Sequence, residues 1–205
     1  MNIGIRHALD RNADYVFLVN QDTRFDRECL RELLAVAGSS SQIGLLVPMQ
    51  FEYGADSLNS VFQGWLKKNF GPGDPDLAKL KTQPFYDVQD VSGAALLISR
   101  RALKVVGLFD PIYFAYSEES DLCRRLIFHG FRIVLCTRAS FWHETAMTAR
   151  KKMLVDRSRL IFSLKDPSRT FFVNFISHSD YLLTLLSNNL IILSIKLTFT
   201  SEPFY

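Results

Sequence analysis

Cysteine is sparse in this chain of 205 residues. Its three cysteines, Cys29, Cys123 and Cys136, are odd in number and widely spaced. No CxxC pair and no Cys/His pattern of a zinc site occurs, which argues against a disulfide scaffold and a zinc module. The thiols are expected to be reduced core residues of a cytoplasmic protein. Charge of one sign is also lacking: a formal net charge of +3 does not by itself point to nucleic acid as a partner. Residues 1–10 contain no apolar stretch of the signal-peptide kind. Internal repeats are absent too. What is present is globular in kind, with 48% apolar and 22% charged residues, enough to bury a sizeable core.

The hydrophobic pattern alternates between strand-length and helix-length signals. Residues 3–10 read as a short helix. Tyr15-Val16-Phe17-Leu18-Val19 is a continuous apolar run, the sign of a strand buried on both faces of a parallel sheet. A helix follows, with Phe25, Cys29, Leu30, Leu33, Leu34 and Ala37 on one face, Thr23 with Asp26 resembling a capping box, and Gly38 as its stop. Residues 43–47 read as a second strand closed by Pro48, and 91–99 as a third interrupted by Gly93. Residues 101–106 read as a short helix. Residues 118–129 form a clear helix, with Leu122, Cys123, Leu126 and Ile127 on one face and Gly130 as its stop. Residues 132–136 and 141–143 are extended. The segment 52–87, rich in Gly, Pro and Asp, reads as a long loop of functional or mobile character. Together these predict an α/β fold with a largely parallel sheet over residues 1–147. Residues 148–205 predict a helical tail, basic from Arg150 to Arg169 and apolar from Tyr181 to Phe199. Asn188, Asn189 and Lys196 interrupt the apolar run, so two helices lying on a membrane or on a partner surface fit better than a span of about 20 apolar residues.

Four places carry candidate chemistry. Asn20-Gln21-Asp22 follows a strand end, where open α/β sheets bind ligands. Oxygen-bearing side chains two residues apart in a tight turn can hold a hard divalent cation that clamps a diphosphate, or can simply start a helix. Glu118-Glu119-Ser120-Asp121 crowds three carboxylates into one helical turn. They either stabilise the positive end of the helix or supply a general base whose proton affinity its like-charged neighbours raise. Asp121 can instead accept hydrogen bonds from acceptor hydroxyls, and Arg124 and Arg125 follow within reach of these acids. His143, in Phe141-Trp142-His143-Glu144-Thr145, is a structural histidine, a metal ligand or a phosphate donor. Gly93, in Ser92-Gly93-Ala94, allows a ligand or another backbone to approach closely, or serves packing alone.

The order of these pieces is itself informative. DYVFLVNQDTRFDRECLRELL, then VSGAALLISRRALKVVGLFDPIYFAYSEESDLCRRLIFHGFRIV, then SFWHE, resembles the family 2 glycosyltransferases of GT-A fold, and most closely their rhamnosyltransferase-like branch. The similarity covers roughly residues 1–145. It implies an inverting, metal-dependent transfer of sugar from a nucleotide-diphosphate donor to a saccharide or lipid-linked acceptor, in bacterial cell-surface polysaccharide synthesis. Asn20 and Asp22 match the family's metal and diphosphate motif, with Mg²⁺ or Mn²⁺ as the cofactor. Gly93 and Ala94 match the Gly-Ala that lines the sugar pocket. Glu118 and Glu119 match its acidic pair, whose second member is the expected base and is here Glu119. Asp121, Leu122 and Arg125 match the residues that follow, and His143 matches a histidine that meets the metal or diphosphate. The resemblance implies that the chain begins after two βα units of the family, on the order of 60–90 residues, so that the fold is a partial GT-A domain. A non-catalytic fragment that serves as a binding or assembly module, alone or as an oligomer, is the alternative. Location in the cytoplasm, at the inner face of the plasma membrane, is the expectation.

Overall fold

The computed structural model describes residues 1–71, 76–91, 93–144 and 149–166, and of residues 149–151 the backbone alone. In chain order the elements are α1 (Asn2–Asp10), β1 (Tyr15–Val19), β2 (Thr23–Phe25), α2 (Cys29–Ala37), β3 (Ile43–Phe51), α3 (Ser60–Phe70), α4 (Leu77–Leu80), β4 (Phe85–Val88), β5 (Ala95–Ser99), α5 (Arg100–Val106), α6 (Glu118–Phe128), β6 (Arg132–His143) and α7 (Ala149–Leu164). The chain divides into compact units Met1–Phe162 and Ser163–Tyr205. The second unit lies almost entirely outside the described residues, and the helices expected in the apolar run 181–199 lie there with it. Among the described residues no helix is long and apolar enough to cross a membrane.

One sheet runs in the order β1-β5-β3-β6-β2, with β4 also on β6. It is mixed, which corrects the expectation of a largely parallel sheet. Among the described strands only β3 and β6 pair in parallel; β1 with β5, β3 with β5, β2 with β6 and β4 with β6 are all antiparallel. The reason is physical. A continuous apolar run reports burial on both faces and says nothing of direction. A connection containing helices is long enough to bring the chain back at either end of its neighbour.

Alternation along the strands divides the core between the two faces. Leu45, Leu96 and Ile133 pack under α1, α3, α5 and α6, together with Ile5, Phe62, Leu66, Leu103, Leu122 and Leu126. Their neighbours Leu46, Leu97 and Val134 pack under α2 with Cys29, Leu33 and Val36. The stripe on α2 is rotated from the expected one: Leu30 and Leu34 remain 45% and 41% exposed. On α6 likewise, Ile127 faces outward. All three cysteines are buried with free thiols. Burial pushes the Cys29 thiol up to about 12 and Cys123 well above its ordinary value, so both are inert core groups.

Three further expectations change. Thr23 and Asp26 form no capping box. Thr23 is in strand β2, its hydroxyl donates to Asn20 O (2.6 Å), and Glu28 precedes the helix as its N-cap. Strand β3 runs through Pro48 instead of ending there, because the chain of β6 bulges opposite that point. The segment 52–87 is not one loop but holds α3, α4 and β4. Helix α3 exists because Asn59 caps it, its Oδ1 accepting from Val61 N (3.0 Å) and Phe62 N (3.2 Å), and because Phe62, Trp65 and Leu66 make one buried stripe. Helix α7 is tied to the body of the first unit. Ser158 donates to Ala115 O (2.6 Å), and Arg124 donates to Phe162 O (3.2 Å) with its guanidinium over the Phe162 ring.

Since Asn59 is fully buried, Asn59→Ala leaves two helix-start amides without a partner. The expected loss is about 1–2 kcal/mol of unfolding free energy, read as a lower urea midpoint. An unchanged midpoint would mean that packing of Phe62 and Trp65 alone holds α3.

Candidate active site

The sheet places the sequence candidates at one end. Strand β1 stops at Val19, and the backbone turns at once: Asn20 N donates to Ala94 O (3.0 Å), beside the first residue of β5. Two residues later the chain re-enters the sheet as β2, whose Thr23 lies opposite His143 of β6. This brings Asp22 Oδ1 to 3.3 Å from His143 Nε2. The carboxylate is open to solvent and the imidazole is mostly buried, with side chains 58% and 12% exposed. The other ring nitrogen, Nδ1, is 3.2 Å from the amide of Gln50, which is itself 2% exposed. Gln50 thereby decides whether Nε2, the nitrogen that faces Asp22, carries a lone pair or the proton. As placed, the Gln50 amide nitrogen donates to Nδ1, which leaves the imidazole proton on Nε2 toward Asp22; with the amide turned, the carbonyl would accept from Nδ1–H and Nε2 would present a lone pair to a cation.

A second group forms around the Gly93–Ala94 turn. A Cβ built on Gly93 would overlap the Glu119 carboxylate, so the absence of a side chain there is what admits Glu119. Burial pushes the Glu119 pKa up to about 7, and the neighbouring Glu118 charge adds to the shift. The Glu118 pKa is raised by burial too, and its Oε2 is buried without a hydrogen-bond partner. The chain enters α6 through Tyr116 and Ser117, both non-glycine residues with left-handed φ of 68° and 63°. Two adjacent residues in that region store backbone strain of the kind found where side chains are held for a task.

Asp121 and Arg125 have structural partners. Asp121 is 2% exposed and pairs with Arg125 Nε (2.9 Å) and Arg124 Nη2 (3.2 Å). Arg125 also donates to Val106 O and Leu108 O (3.0 Å to the latter), which ties α6 to the end of α5. Asp90 was not among the sequence candidates. Its carboxylate accepts from Lys68 Nζ (2.8 Å) on α3 and from Ser120 Oγ (2.9 Å) in the first turn of α6. It so braces the turn that carries Glu119. Its position three residues before Gly93 was the only hint, and Lys68 is too distant in sequence to reveal the pair.

Thus Gly93 meets Glu119, Ala94 meets Asn20, and Asp22 meets His143. The first group offers a carboxylate that titrates near neutrality, suited to accepting a proton. The second offers one carboxylate and one imidazole. Among the described residues no three His, Cys, Asp or Glu side chains gather into a metal site. A two-ligand set fits a cation that takes its remaining oxygens from a diphosphate and water, as Mg²⁺-type sites do.

The family described as Glycosyl transferase family group 2 matches residues 15–205. No curated protein matches the chain. Among solved structures, the chain is similar to GalNAc-T7 solved with UDP, GalNAc and Mn²⁺, at 12% identity and TM-score 0.49 over 91% of this chain and 40% of that one. It is also similar to S. aureus TarS 1-349 in complex with UDP, at 13% identity and TM-score 0.47 over 91% and 50%. TarS 1-349 alone gives 14% identity and TM-score 0.48 over 96% and 54%. The chain therefore spans about half or less of the length of these solved proteins.

The raised pKa of Glu119 fixes a sign. In the unfolded chain the group ionises near its ordinary value of 4.5, and in the folded protein only near 7. The stability it contributes is present below pH 4.5 and is lost as pH rises through 7. Melting temperature should fall between about pH 5 and 7 in the wild type and fall less in Glu119→Gln. Parallel pH profiles for the two proteins would show that the carboxylate is not held in a desolvated place.

Proposed function

This chain belongs to glycosyl transferase family group 2, and from that premise we propose that it transfers a sugar from a nucleotide-diphosphate donor to the hydroxyl of a saccharide or lipid-linked acceptor, with inversion. The observation that carries the proposal is the Glu119 carboxylate admitted by Gly93 and titrating at about 7. As a base, Glu119 takes the proton of the acceptor hydroxyl. The new bond forms between that oxygen and the anomeric carbon, while the bond from the same carbon to the diphosphate breaks on the opposite side. A single displacement of this kind inverts the configuration.

Within this reading Glu118 keeps Glu119 protonatable near neutrality by its own charge. Asp121 and Arg125 are positioning residues that hold α6 against α5. Gly93 and Ala94 line the sugar pocket, and Asn20 with Asp22 receives the diphosphate. Asp22 and His143 would hold Mg²⁺ or Mn²⁺. When bound, the ion supplies positive charge against the leaving diphosphate. GT-A architecture, the rhamnosyltransferase-like branch and cell-surface polysaccharide synthesis at the inner membrane face complete the proposal. The basic stretch 150–169 and the apolar run 181–199 support the membrane location.

A second reading, an assembly module, has one observation in its favour. Strand β1 is the margin of the sheet, pairing with β5 alone among the described strands, and Val19 is 49% exposed there. Mass measurement in solution separates the readings, since a module that works through β1 should not be monomeric.

Calorimetric titration with UDP and dTDP is the direct test. Binding should require Mn²⁺ or Mg²⁺ and should weaken at least ~10-fold in Asp22→Ala, a loss expected when a charged ligand contact is removed. Glu119→Gln should bind the nucleotide as the wild type does and transfer sugar on the order of 10²-fold more slowly. Absence of nucleotide binding with metal present would sink the catalytic reading of this chain.

A further inference from the structure

A cleft of about 250 Å³ is lined by Arg24, Tyr53, Gly54, Ala55, Asp56 and Trp142. The residues arrive there by two routes. Arg24 of β2 is the register partner of Trp142 of β6. Directly opposite cross-strand residues share a face, so the Arg24 and Trp142 side chains stand together. The remaining four belong to a tight excursion between β3 and α3. That loop is closed by the bridge Phe51↔Leu58, by Glu52 N donating to Ser57 O (3.0 Å), and by Ala55 N donating to Glu52 O (3.2 Å). Gly54 takes φ +77° at its tip. Glu52 Oε1 accepts from Ser60 N (3.0 Å), which ties the loop to the start of α3. The walls of the cleft are therefore built in advance of any ligand.

The lining has a definite chemistry. Trp142 donates from Nε1 to Ala55 O (3.1 Å) and backs onto Phe51 at 6.1 Å, so its indole plane is fixed. Tyr53 is 59% exposed. Aromatic faces present a flat apolar surface with a negative quadrupole, suited to the C–H face of a sugar ring. Arg24 and Asp56 are exposed at the rim, one a fork of donors and the other a pair of acceptors, which suits the donor-and-acceptor character of hydroxyls. One positive and one negative charge favour a neutral ligand; a phosphate would meet the Asp56 carboxylate. At this volume, below the roughly 300–1,000 Å³ of drug-sized sites, the cleft takes a single ring.

We propose that this cleft is a binding subsite for a neutral pyranose ring of the acceptor saccharide. The word acceptor rests on the glycosyltransfer reading above. Thr23 and His143 form the neighbouring register pair and so point to the opposite face from Arg24 and Trp142. A ring in the cleft is thus on the other side of the β2–β6 ribbon from the Asp22–His143 pair, and is not the sugar carried by a diphosphate bound there. The acceptor is an extended saccharide with at least one unit beyond the reacting one.

The test uses the full chain without metal and four probes: cellotetraose, maltotetraose, chitotetraose and methyl α-rhamnoside. Binding is followed by tryptophan emission and by calorimetry. Trp65 is buried, so a change in emission reports Trp142. The expected result is saturable binding of at least one probe, weakened 5-fold or more in Tyr53→Ala and in Asp56→Ala and unchanged in Asp22→Ala. Both variants replace exposed side chains, and thermal melts confirm that they fold. No emission change and no heat with any probe would overturn the subsite, as would equal affinity in Tyr53→Ala and Asp56→Ala. Displacement of a bound probe by UDP-glucose with Mn²⁺ would assign the cleft to the donor sugar and overturn the acceptor assignment. Because the nucleotide titration with Asp22→Ala is independent, UDP binding without saccharide binding defeats this inference alone. Saccharide binding without UDP or dTDP binding defeats the donor reading, and with it the name acceptor.

Discussion

Strand β6 must satisfy partners on both edges along its twelve residues, and the placement of the site follows from how it does so. One edge pairs with β3 over nearly its whole length; the other takes β4 near its start and β2 at its end. These demands are met with a change of register. Pro48 of β3 lies opposite Cys136, but the next residue, Met49, lies opposite Ser140, so β6 carries three extra residues at 137–139. The irregularity is held: Thr137 N donates to Pro84 O and its hydroxyl to Gln83 O, while Asp26 N donates to Ser140 O. Side chains alternate along a strand, so a slip by one residue beyond this point would exchange the faces of Trp142 and His143. The bulge is thus what sends the imidazole toward Asp22 and the indole toward Arg24.

The carboxylate at the other half of the site depends on a local loss of stability. Burying Glu119 raises its pKa because the ionised form gives up water. A buried oxygen of Glu118 without a partner and two left-handed residues before α6 work in the same direction. The offset comes from interactions one turn away. Asp121 holds Arg124 and Arg125, Arg125 holds the end of α5, and Asp90 holds Lys68 and Ser120. Helix α6 is fixed on the side facing the core so that its first turn can present poorly solvated acids at the Gly93 turn. Stability is given up at the Gly93 turn and recovered one turn further along α6.

Much of this was legible in the sequence, and the limits have physical causes. Helices α2 and α6 announce themselves by apolar stripes and glycine stops, α1 and α5 by short helical patterns. Strands β1, β3, β5 and β6 announce themselves by short apolar runs. The acids at the start of α6 stand out because three of them share one turn. Strand β2 was hidden because three residues carry no periodicity, and its Thr23 resembled a helix cap. Helix α3 was hidden because its stripe is Phe62, Trp65 and Leu66 amid Gly, Lys and Asn, and its cap Asn59 falls in a polar stretch. Asp90 was hidden because its partners come from two other helices. The Arg24–Trp142 cleft was hidden because register, which composition does not encode, creates it.

The direction of β5 was the largest misreading, and it is also the one on which the assembly of the site turns. A fully parallel sheet would start β5 at the end of the sheet away from the end of β1. The Gly93–Ala94 turn would then be separated from Asn20 by the length of a five-residue strand, about 17 Å at the usual rise. Because β5 runs antiparallel to β1, its first residue Ala95 is paired with the last residue of β1, Val19. The backbones immediately beyond touch, Asn20 N donating to Ala94 O. The segment that admits Glu119 and the segment that leads to Asp22 are therefore joined by one hydrogen bond at a single sheet end. The antiparallel step is what brings the Gly93 turn, with the buried Glu119 carboxylate, and the Asn20–Asp22 turn to the same end of the sheet.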